Sequence, residues 1–341
     1  MAEEFDIPLP RERDILVGQD AAIAALMEGE RSGRLHHAWL IGGPEGIGKA
    51  TLAYRFARHL LAPPVERLGG GDGLAVVPDG RTFRQVAALS HPNLMVVERG
   101  AGEEGKAAPK IITVDSVRKA LGFFASTAAD GGRRICIVDG VEDLNANAAN
   151  ALLKTIEEPP PGALILLVSH APQRILPTIR SRCRKLALPP LAAPDLERVL
   201  SGFDLAAGPD VRARSVAMAD GSVRRALTLL DPKRIALIDE LTSLLDLMPG
   251  AETGRVLALA EKLGDRRASD EFPVALDTIQ RWLSERIRAR SGEGAARLAP
   301  LAEVCENVTE AARAVEVYNL DRRAFIISTF GDLAEAVRRA A

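Results

Sequence analysis

Short apolar runs alternate with amphipathic stretches along the first half of the chain. The apolar runs are too short for helices and predict buried strands, at 38–41, 93–98, 135–138 and 163–168. Between them, apolar residues recur at the spacing of one helix face, at 22–32, 52–61, 112–126 and 144–156. This alternation predicts an α/β domain with a parallel sheet flanked by helices.

The pattern changes after Pro189 and Pro190, and only helical periodicity follows. Short helices are predicted at 193–202, 210–218 and 222–230. Longer helices are predicted at 234–247, 253–263, 272–290, 296–314 and 320–339. Asn319 or Asp321 is placed to cap the last of them. The chain therefore divides into predicted domains at 1–189, 190–231 and 232–341.

The first predicted strand leads directly into the sequence GGPEGIGKAT at 42–51. Gly43, Gly46 and Gly48 permit a tight turn in which backbone N–H groups surround phosphate oxygens at the start of a helix. Lys49 is then placed to reach the β- and γ-phosphates. A GxxxxGK motif between a strand and a helix predicts a P-loop fold.

The P-loop departs from its usual form at the residue after the lysine. A Ser or Thr hydroxyl normally binds magnesium there, and this chain has Ala50. Thr51 is one residue further on, and about 100° of helical rotation is expected to point its hydroxyl away from the metal. The sequence therefore predicts a cradle for phosphate with a weakened metal site.

A second group of candidate residues lies between 133 and 183. The strand ending at Asp139 predicts a carboxylate at the tip of the sheet, where it can serve a magnesium ion. Asn145 is placed to cap the following helix, Ser169 ends the next strand, and a loop is predicted to present Arg182. Taken alone, Asp139 has the alternative of a helix cap and Arg182 that of a solvated surface charge.

Composition limits the classes of function. The 341 residues and 47% hydrophobic content suit two or three globular domains. The net charge of −2 provides no overall positive field for nucleic acid, so any DNA contact must be local or shared. With two Trp, two Tyr and nine Phe, little aromatic surface is available for stacking on bases.

Cysteine use and hydropathy point to a cytoplasmic protein. Cys136, Cys183 and Cys305 are far apart and form no CxxC pair, which argues against a disulfide framework and a four-thiolate zinc site. His91 precedes a proline and is expected in a turn. No run approaches the roughly 18 apolar residues of a membrane span, and no export signal is visible.

The run NALLKTIEEPP followed by SRC, together with the P-loop, closely resembles the clamp-loader branch of the AAA+ ATPases, in its non-motor subunit type from bacterial DNA polymerase III. The resemblance spans nearly the whole chain. It implies an AAA+ P-loop domain over 1–189, a small helical lid over 190–231 and an all-α collar over 232–341 that carries oligomerisation.

The resemblance also implies roles for particular residues. Val17, in the segment 16–19, would lie against the adenine base, although an ordinary capped surface helix is the alternative. Ser169 would occupy the sensor position that monitors the γ-phosphate. Arg224, in the lid sequence GSVR, would reach back to the nucleotide. Arg182 would act in trans as an arginine finger on a neighbouring subunit's ATP.

The resemblance implies that hydrolysis is absent or weak. Active relatives have a water-activating Glu directly after the acid that ends the Asp139 strand, and this chain has Gly140. Glu142 and Asp143 are expected to project elsewhere. ATP or ADP with Mg²⁺ is implied as a weak or vestigial ligand. The four-cysteine zinc module of relatives is missing near 63–80, so no zinc is expected.

The implied partners are the tau or gamma ATPase subunits and the delta subunit, in a hetero-pentameric ring that loads the sliding clamp onto primer–template DNA as part of the polymerase holoenzyme. The alternative class is an autonomous enzyme, either a self-contained AAA+ ATPase that remodels DNA or protein or a P-loop phosphotransferase. Ala50 and Gly140 argue against both versions. ATP turnover by the isolated chain separates the two classes.

Overall fold

A computed structural model describes residues 7–69, 73–100, 111–125, 132–205, 207–265 and 271–340. The chain splits into two compact units, Met1–Leu227 and Thr228–Ala341. The second unit begins near the predicted start of the collar. The division of the first unit into a sheet domain and a lid stays a prediction.

The first unit contains a parallel five-stranded sheet, which confirms the predicted α/β class. Its strands are β1 (Ala38–Gly42), β2 (Leu94–Val97), β3 (Arg134–Asp139), β4 (Ala163–Ser169) and β5 (Arg184–Ala187). Their order is β2-β3-β4-β1-β5, so β2 and β5 form the edges. The register pairs Leu40 with Leu167 and Val138 with Leu167, which aligns the ends of the three central strands.

Helices cover both faces of this sheet. The helices of the first unit are α1 (Asp20–Arg31), α2 (Lys49–Leu61), α3 (Arg81–Ala87), α4 (Val114–Ala125), α5 (Ala146–Glu157) and α6 (Pro177–Arg182), followed after β5 by α7 (Ala193–Ser201), α8 (Pro209–Met218) and α9 (Val223–Thr228). Trp39 and Ile41 pack with Phe56 of α2 on one face. Leu40 packs with Leu152 of α5 on the other, because successive strand residues point to opposite faces.

The predicted cap of α5 is confirmed, and three local expectations are corrected. Asn145 Oδ1 accepts a hydrogen bond from Ala148 N at 2.8 Å. Arg182 ends the six-residue helix α6 and does not lie on a loop, because Pro177 begins a single turn too short to show periodicity. The stretch at 63–80, which its Gly and Pro content predicts to be a surface excursion, buries Leu74. Helix α3 was not predicted.

The second unit is helical, as predicted. Its helices are α10 (Pro232–Asp246), α11 (Thr253–Gly264), α12 (Glu271–Ala289), α13 (Ala295–Tyr318) and α14 (Arg322–Ala340). Asp321 caps α14, since its Oδ1 accepts from Arg323 N at 2.8 Å, whereas Asn319 ends α13 in a left-handed conformation. Within the described residues, no helix has the length and apolar character that crossing a membrane requires.

Candidate nucleotide site

A cavity of about 500 Å³ lies in the first unit, where the P-loop meets the carboxyl end of β3. The cavity is lined by the P-loop, by residues at the ends of β3 and β4, by the predicted lid and by an N-terminal segment. The lining comprises Ile7, Pro8, Leu9, Pro10, Arg13, Glu45, Gly46, Gly48, Lys49, Ala50, Thr51, Asp139, His170, Val223, Arg224 and Leu227. The cavity therefore joins P-loop, strand-end and lid residues that were predicted to share a site.

Two P-loop glycines have backbone conformations and close neighbours that leave no room for a side chain. Gly46 has φ 78° and Gly48 has φ 94°, in the left-handed region. A Cβ atom at Gly46 would lie 2.4 Å from Ser222 Oγ, and one at Gly48 would lie 2.6 Å from Leu16 Cδ1. The loop can therefore close tightly at the start of α2, where backbone N–H groups face a phosphate chain.

Lys49 is buried at the start of α2, and its Nζ donates a hydrogen bond to the carbonyl oxygen of Pro44. Burial lowers the pKa of Lys49 to about 8, although the carboxylates of Glu45, Glu142 and Asp139 act in the opposite direction. The ammonium group therefore stays predominantly charged at pH 7. It supplies the cation that a phosphate chain needs at this end of the cavity.

Asp139 lies at the end of β3. Burial raises the pKa of its carboxyl group to about 6, and the negative charge of Glu98 is the second largest cause. The residues present fit a phosphate chain, because the glycine turn and Lys49 converge on the cavity. They do not reproduce the usual magnesium site, since Ala50 brings only a methyl group to the lining. Thr51 also lines the cavity, one residue beyond the usual position of the metal-binding hydroxyl.

Three predicted site residues do not line the cavity. Gly43 lies under the loop, where a Cβ atom would meet the Leu188 carbonyl oxygen at 2.4 Å. Val17 is buried beside the loop. Ser169 is fully buried, and its hydroxyl accepts a hydrogen bond from Ala171 N at 3.1 Å. Their roles toward a nucleotide stay predictions.

His170 lines the cavity and was missed, although it directly follows the strand end at Ser169. Its backbone N donates to Glu142 Oε1 at 2.8 Å. Burial lowers the pKa of the imidazole, and the charge of Lys49 acts in the same direction. A neutral imidazole in this place can donate to or accept from a ligand.

Glu142 does not line the cavity, but its carboxylate accepts a hydrogen bond from the backbone of His170, which does. The 3₁₀ turn Val141–Asp143 brings it against the end of β4, and its charge acts on Lys49. Asp143 does point elsewhere, as expected. Its carboxylate binds Arg99 through two hydrogen bonds of 2.6 and 2.7 Å.

The N-terminal wall of the cavity is fixed by a buried arginine on α2. Arg58 donates to the carbonyl oxygen of Arg13 at 3.1 Å and to that of Arg11. Its guanidinium lies 3.9 Å from the centre of the Phe83 ring, and burial lowers its pKa to about 10. Nothing in the sequence marked Arg58, because its partners lie about 45 positions away.

The start of α9 is bonded to the P-loop. Ser222 Oγ donates to the carbonyl oxygen of Glu45 at 2.8 Å, and Val223 N donates to that of Gly46 at 2.9 Å. Arg224 forms an ion pair with the carboxylate of Glu45. The lid arginine therefore reaches the phosphate end of the cavity, where it was predicted to lie.

The backbone conformation and the close neighbours of Gly140 disfavour a glutamate at this position. Its φ is 82°, and a Cβ atom there would lie 2.6 Å from Asp143 Oδ2, which Arg99 holds in place. We expect Gly140→Glu to lower the free energy of unfolding by about 1–3 kcal/mol, because it strains the backbone and displaces a paired carboxylate. Urea unfolding of the full chain measures this change.

The matched control is Gly122→Glu, at an exposed glycine of α4 whose Cβ would meet nothing within 4 Å. It is expected to leave the free energy of unfolding within about 0.5 kcal/mol of the parent value. Equal stability of the two variants would contradict the strain at Gly140. Because of that strain, Ala50→Thr combined with Gly140→Glu is not expected to create an efficient hydrolytic site.

Arg182 lies outside the cavity, on the surface of α6. Its Nη1 donates to the Thr178 carbonyl oxygen at 3.0 Å, and its Nη2 lies 2.8 Å from Glu157 Oε1. The side chain is 41% exposed. It is therefore accessible to another molecule and does not serve this chain's own cavity.

The parallel sheet, with a P-loop between β1 and α2, defines the P-loop class of α/β fold. A family model described as "DNA polymerase III, delta subunit" matches residues 18–192, just over half of the chain. The chain belongs to this family, which confirms the likeness to DNA polymerase III subunits predicted from its sequence.

Curated relatives carry the names of several subunits. DNA polymerase III subunit delta' of Pseudomonas aeruginosa is 42% identical over 162 residues, which are 47% of this chain and 46% of that protein. Subunit delta' of Yersinia pestis is 28% identical over 270 residues, 77% of this chain and 73% of that protein. Subunit tau of Escherichia coli is 29% identical over 83% of this chain and 40% of its own length.

The match with the Pseudomonas delta' protein spans about half of each chain, and that with subunit tau spans less than half of the relative. Among solved structures, a DNA polymerase III gamma subunit-related protein of Thermotoga maritima covers 93% of this chain and 99% of its own. Its TM-score is 0.43 and its sequence identity 17%.

Proposed function

We propose that this chain is a non-motor clamp-loader subunit of DNA polymerase III, of the delta-prime type. The observation that carries the proposal is a phosphate cradle without its hydrolytic groups. Lys49 and the glycine turn line the cavity, while Ala50 and Gly140 replace the metal-binding hydroxyl and the water-activating carboxylate. ATP or ADP is a weak ligand of this site.

Arg182 is the residue through which the subunit acts on a neighbour's ATP. An arginine finger must be permanently charged, exposed and free of its own chain's nucleotide site. Arg182 meets the last two conditions, since it lies on α6 and outside the cavity. Its guanidinium would stabilise the charge that develops on the γ-phosphate at an adjacent subunit.

The proposed partners follow from the relatives, which include subunits named tau, gamma and delta'. We place the chain in a hetero-pentameric ring with three tau or gamma subunits and one delta subunit, joined through the second unit. Through this ring it would help to load the sliding clamp onto primer–template DNA in the cytoplasm. A DNA contact within the ring is consistent with the balanced charge of the chain.

One observation favours the alternative, a self-contained AAA+ ATPase. Glu142 lies beside the cavity, and its Oε2 atom is buried without a hydrogen-bond partner among the residues that the structure describes. A carboxylate so placed can take over the role of the missing base. ATP turnover by the isolated chain distinguishes this possibility from the proposed role.

We expect the isolated chain to hydrolyse ATP no faster than its Lys49→Ala variant, because the metal ligand and the base are both replaced. The measurement is phosphate release with excess Mg²⁺, with Glu142→Gln as a second variant. Turnover that depends on Mg²⁺ and disappears in both variants would overturn the non-motor role. It would identify Glu142 as the base of an active enzyme.

A further inference from the structure

Glu45 lies inside the P-loop, between Gly43 and Gly46, and lines the phosphate end of the cavity. Its carboxylate pairs with Arg224, and its carbonyl oxygen accepts a hydrogen bond from Ser222 Oγ at 2.8 Å. The neighbouring Gly46 carbonyl accepts from Val223 N at 2.9 Å. Three consecutive lid residues are therefore fastened to two consecutive P-loop residues.

The pair has a consequence for phosphate binding. Arg224 is a cation of the predicted lid that lines the cavity, and its guanidinium is already paired with the carboxylate of Glu45. A third phosphate group would have to take Arg224 from Glu45 and then lie beside the displaced carboxylate. A ligand with two phosphates can be held by the glycine turn and Lys49, and it leaves the ion pair between Glu45 and Arg224 intact.

The surrounding charges act in the same direction. The carboxylates of Glu45, Asp139 and Glu142 all act on Lys49, so its ammonium group already has three negative neighbours. Ala50 offers no hydroxyl to a metal ion that would offset the charge of a triphosphate. A third phosphate group that lies beside Glu45 is therefore repelled by these carboxylates.

We propose that Glu45 sets the nucleotide specificity of the cavity, making it bind a nucleoside diphosphate in preference to a triphosphate by holding Arg224. This inference rests on the proposed function only in treating the cavity as a nucleotide site. A diphosphate leaves the contacts between lid and P-loop intact, whereas a triphosphate competes with them. The site is then suited to hold a nucleoside diphosphate continuously and not to exchange it for a triphosphate.

The test is equilibrium binding of ADP and ATP to the full chain by titration calorimetry, at low ionic strength and in EDTA. We expect the unaltered chain to bind ADP about fivefold more tightly than ATP, since one ionic contact between exposed side chains is worth at most about that factor. Glu45→Gln should raise the affinity for ATP about fivefold and change that for ADP no more than about twofold.

Two variants sharpen the result. Glu28→Gln removes an exposed carboxylate of α1 that lies 3.9 Å from Arg31, and it should alter neither affinity. Adding Arg224→Gln to Glu45→Gln should abolish the gain in ATP affinity, because Arg224 is the group that we propose binds the third phosphate. Circular dichroism spectra and unfolding midpoints equal to those of the parent establish that each variant is folded.

The proposal is overturned if Glu45→Gln strengthens ADP and ATP binding equally, or if the unaltered chain binds ATP as tightly as ADP. It is also overturned if neither protein binds either nucleotide. None of these results touches the role proposed in the ring, because clamp loading by reconstituted complexes tests that role independently. Loss of clamp loading in complexes lacking this chain would support the ring role whichever nucleotide is bound.

Discussion

Arg182→Ala is expected to lower ATP hydrolysis about 1,000-fold at one site of the reconstituted complex. Total ATPase should fall only by the share of that site, since other sites have their own arginine fingers. Clamp loading should fall further, because it requires the sites to act together. DNA-stimulated phosphate release and the rate of clamp loading, measured on the same complexes, test both expectations.

The substitution is not expected to disturb folding or assembly. Among the residues that the structure describes, the polar partners of Arg182 are the Thr178 carbonyl oxygen and the half-exposed carboxylate of Glu157, and exposed ion pairs typically contribute about 0–1 kcal/mol. Arg174→Ala, at another exposed arginine eight positions earlier, is the matched control. Loading at the parent rate by the assembled Arg182→Ala complex would show that this arginine is only a surface charge.

A chain ending at Leu227 is expected to lose all stable association with the tau or gamma subunits, whereas a fragment from Thr228 onward should keep it. The second unit has its own core, in which Leu241, Phe272 and Leu333 are fully buried, so it has the means to fold alone. Co-purification with tagged partner subunits, with the full chain as the positive control, measures the association.

Both fragments must first be shown to unfold cooperatively in urea, so that loss of binding is not loss of structure. Full association of the fragment ending at Leu227 would overturn the assignment of oligomerisation to the second unit. Association of neither folded fragment would mean that binding needs surfaces from both units.

The sequence predicted the sheet and the phosphate end of the site because both depend on local patterns. Strand-sized apolar runs alternate with helical periodicity, and parallel strands place the P-loop and Asp139 at the same edge. The cap at Asn145 was also predictable, since capping depends on neighbouring residues.

The missed features depend on contacts between distant parts of the chain. The Glu45–Arg224 pair joins residues 179 positions apart, and Arg58 holds a segment 47 positions away. Glu142 reaches the site only because a short 3₁₀ turn brings it against the end of β4. The charges and spacing of residues along the sequence do not reveal which distant residues come into contact.

The outer edge of the sheet bears on solubility. Among the residues that the structure describes, strand β5 pairs with β1 alone, and the unpaired N–H and C=O groups of such an edge strand are a template for unwanted strand addition by another chain. This strand has only four residues, and its exposed Arg184 and Lys185 place two positive charges along it. If the β5 edges of two copies approached each other, these positive charges would repel. The repulsion opposes aggregation by pairing between the edges of two sheets.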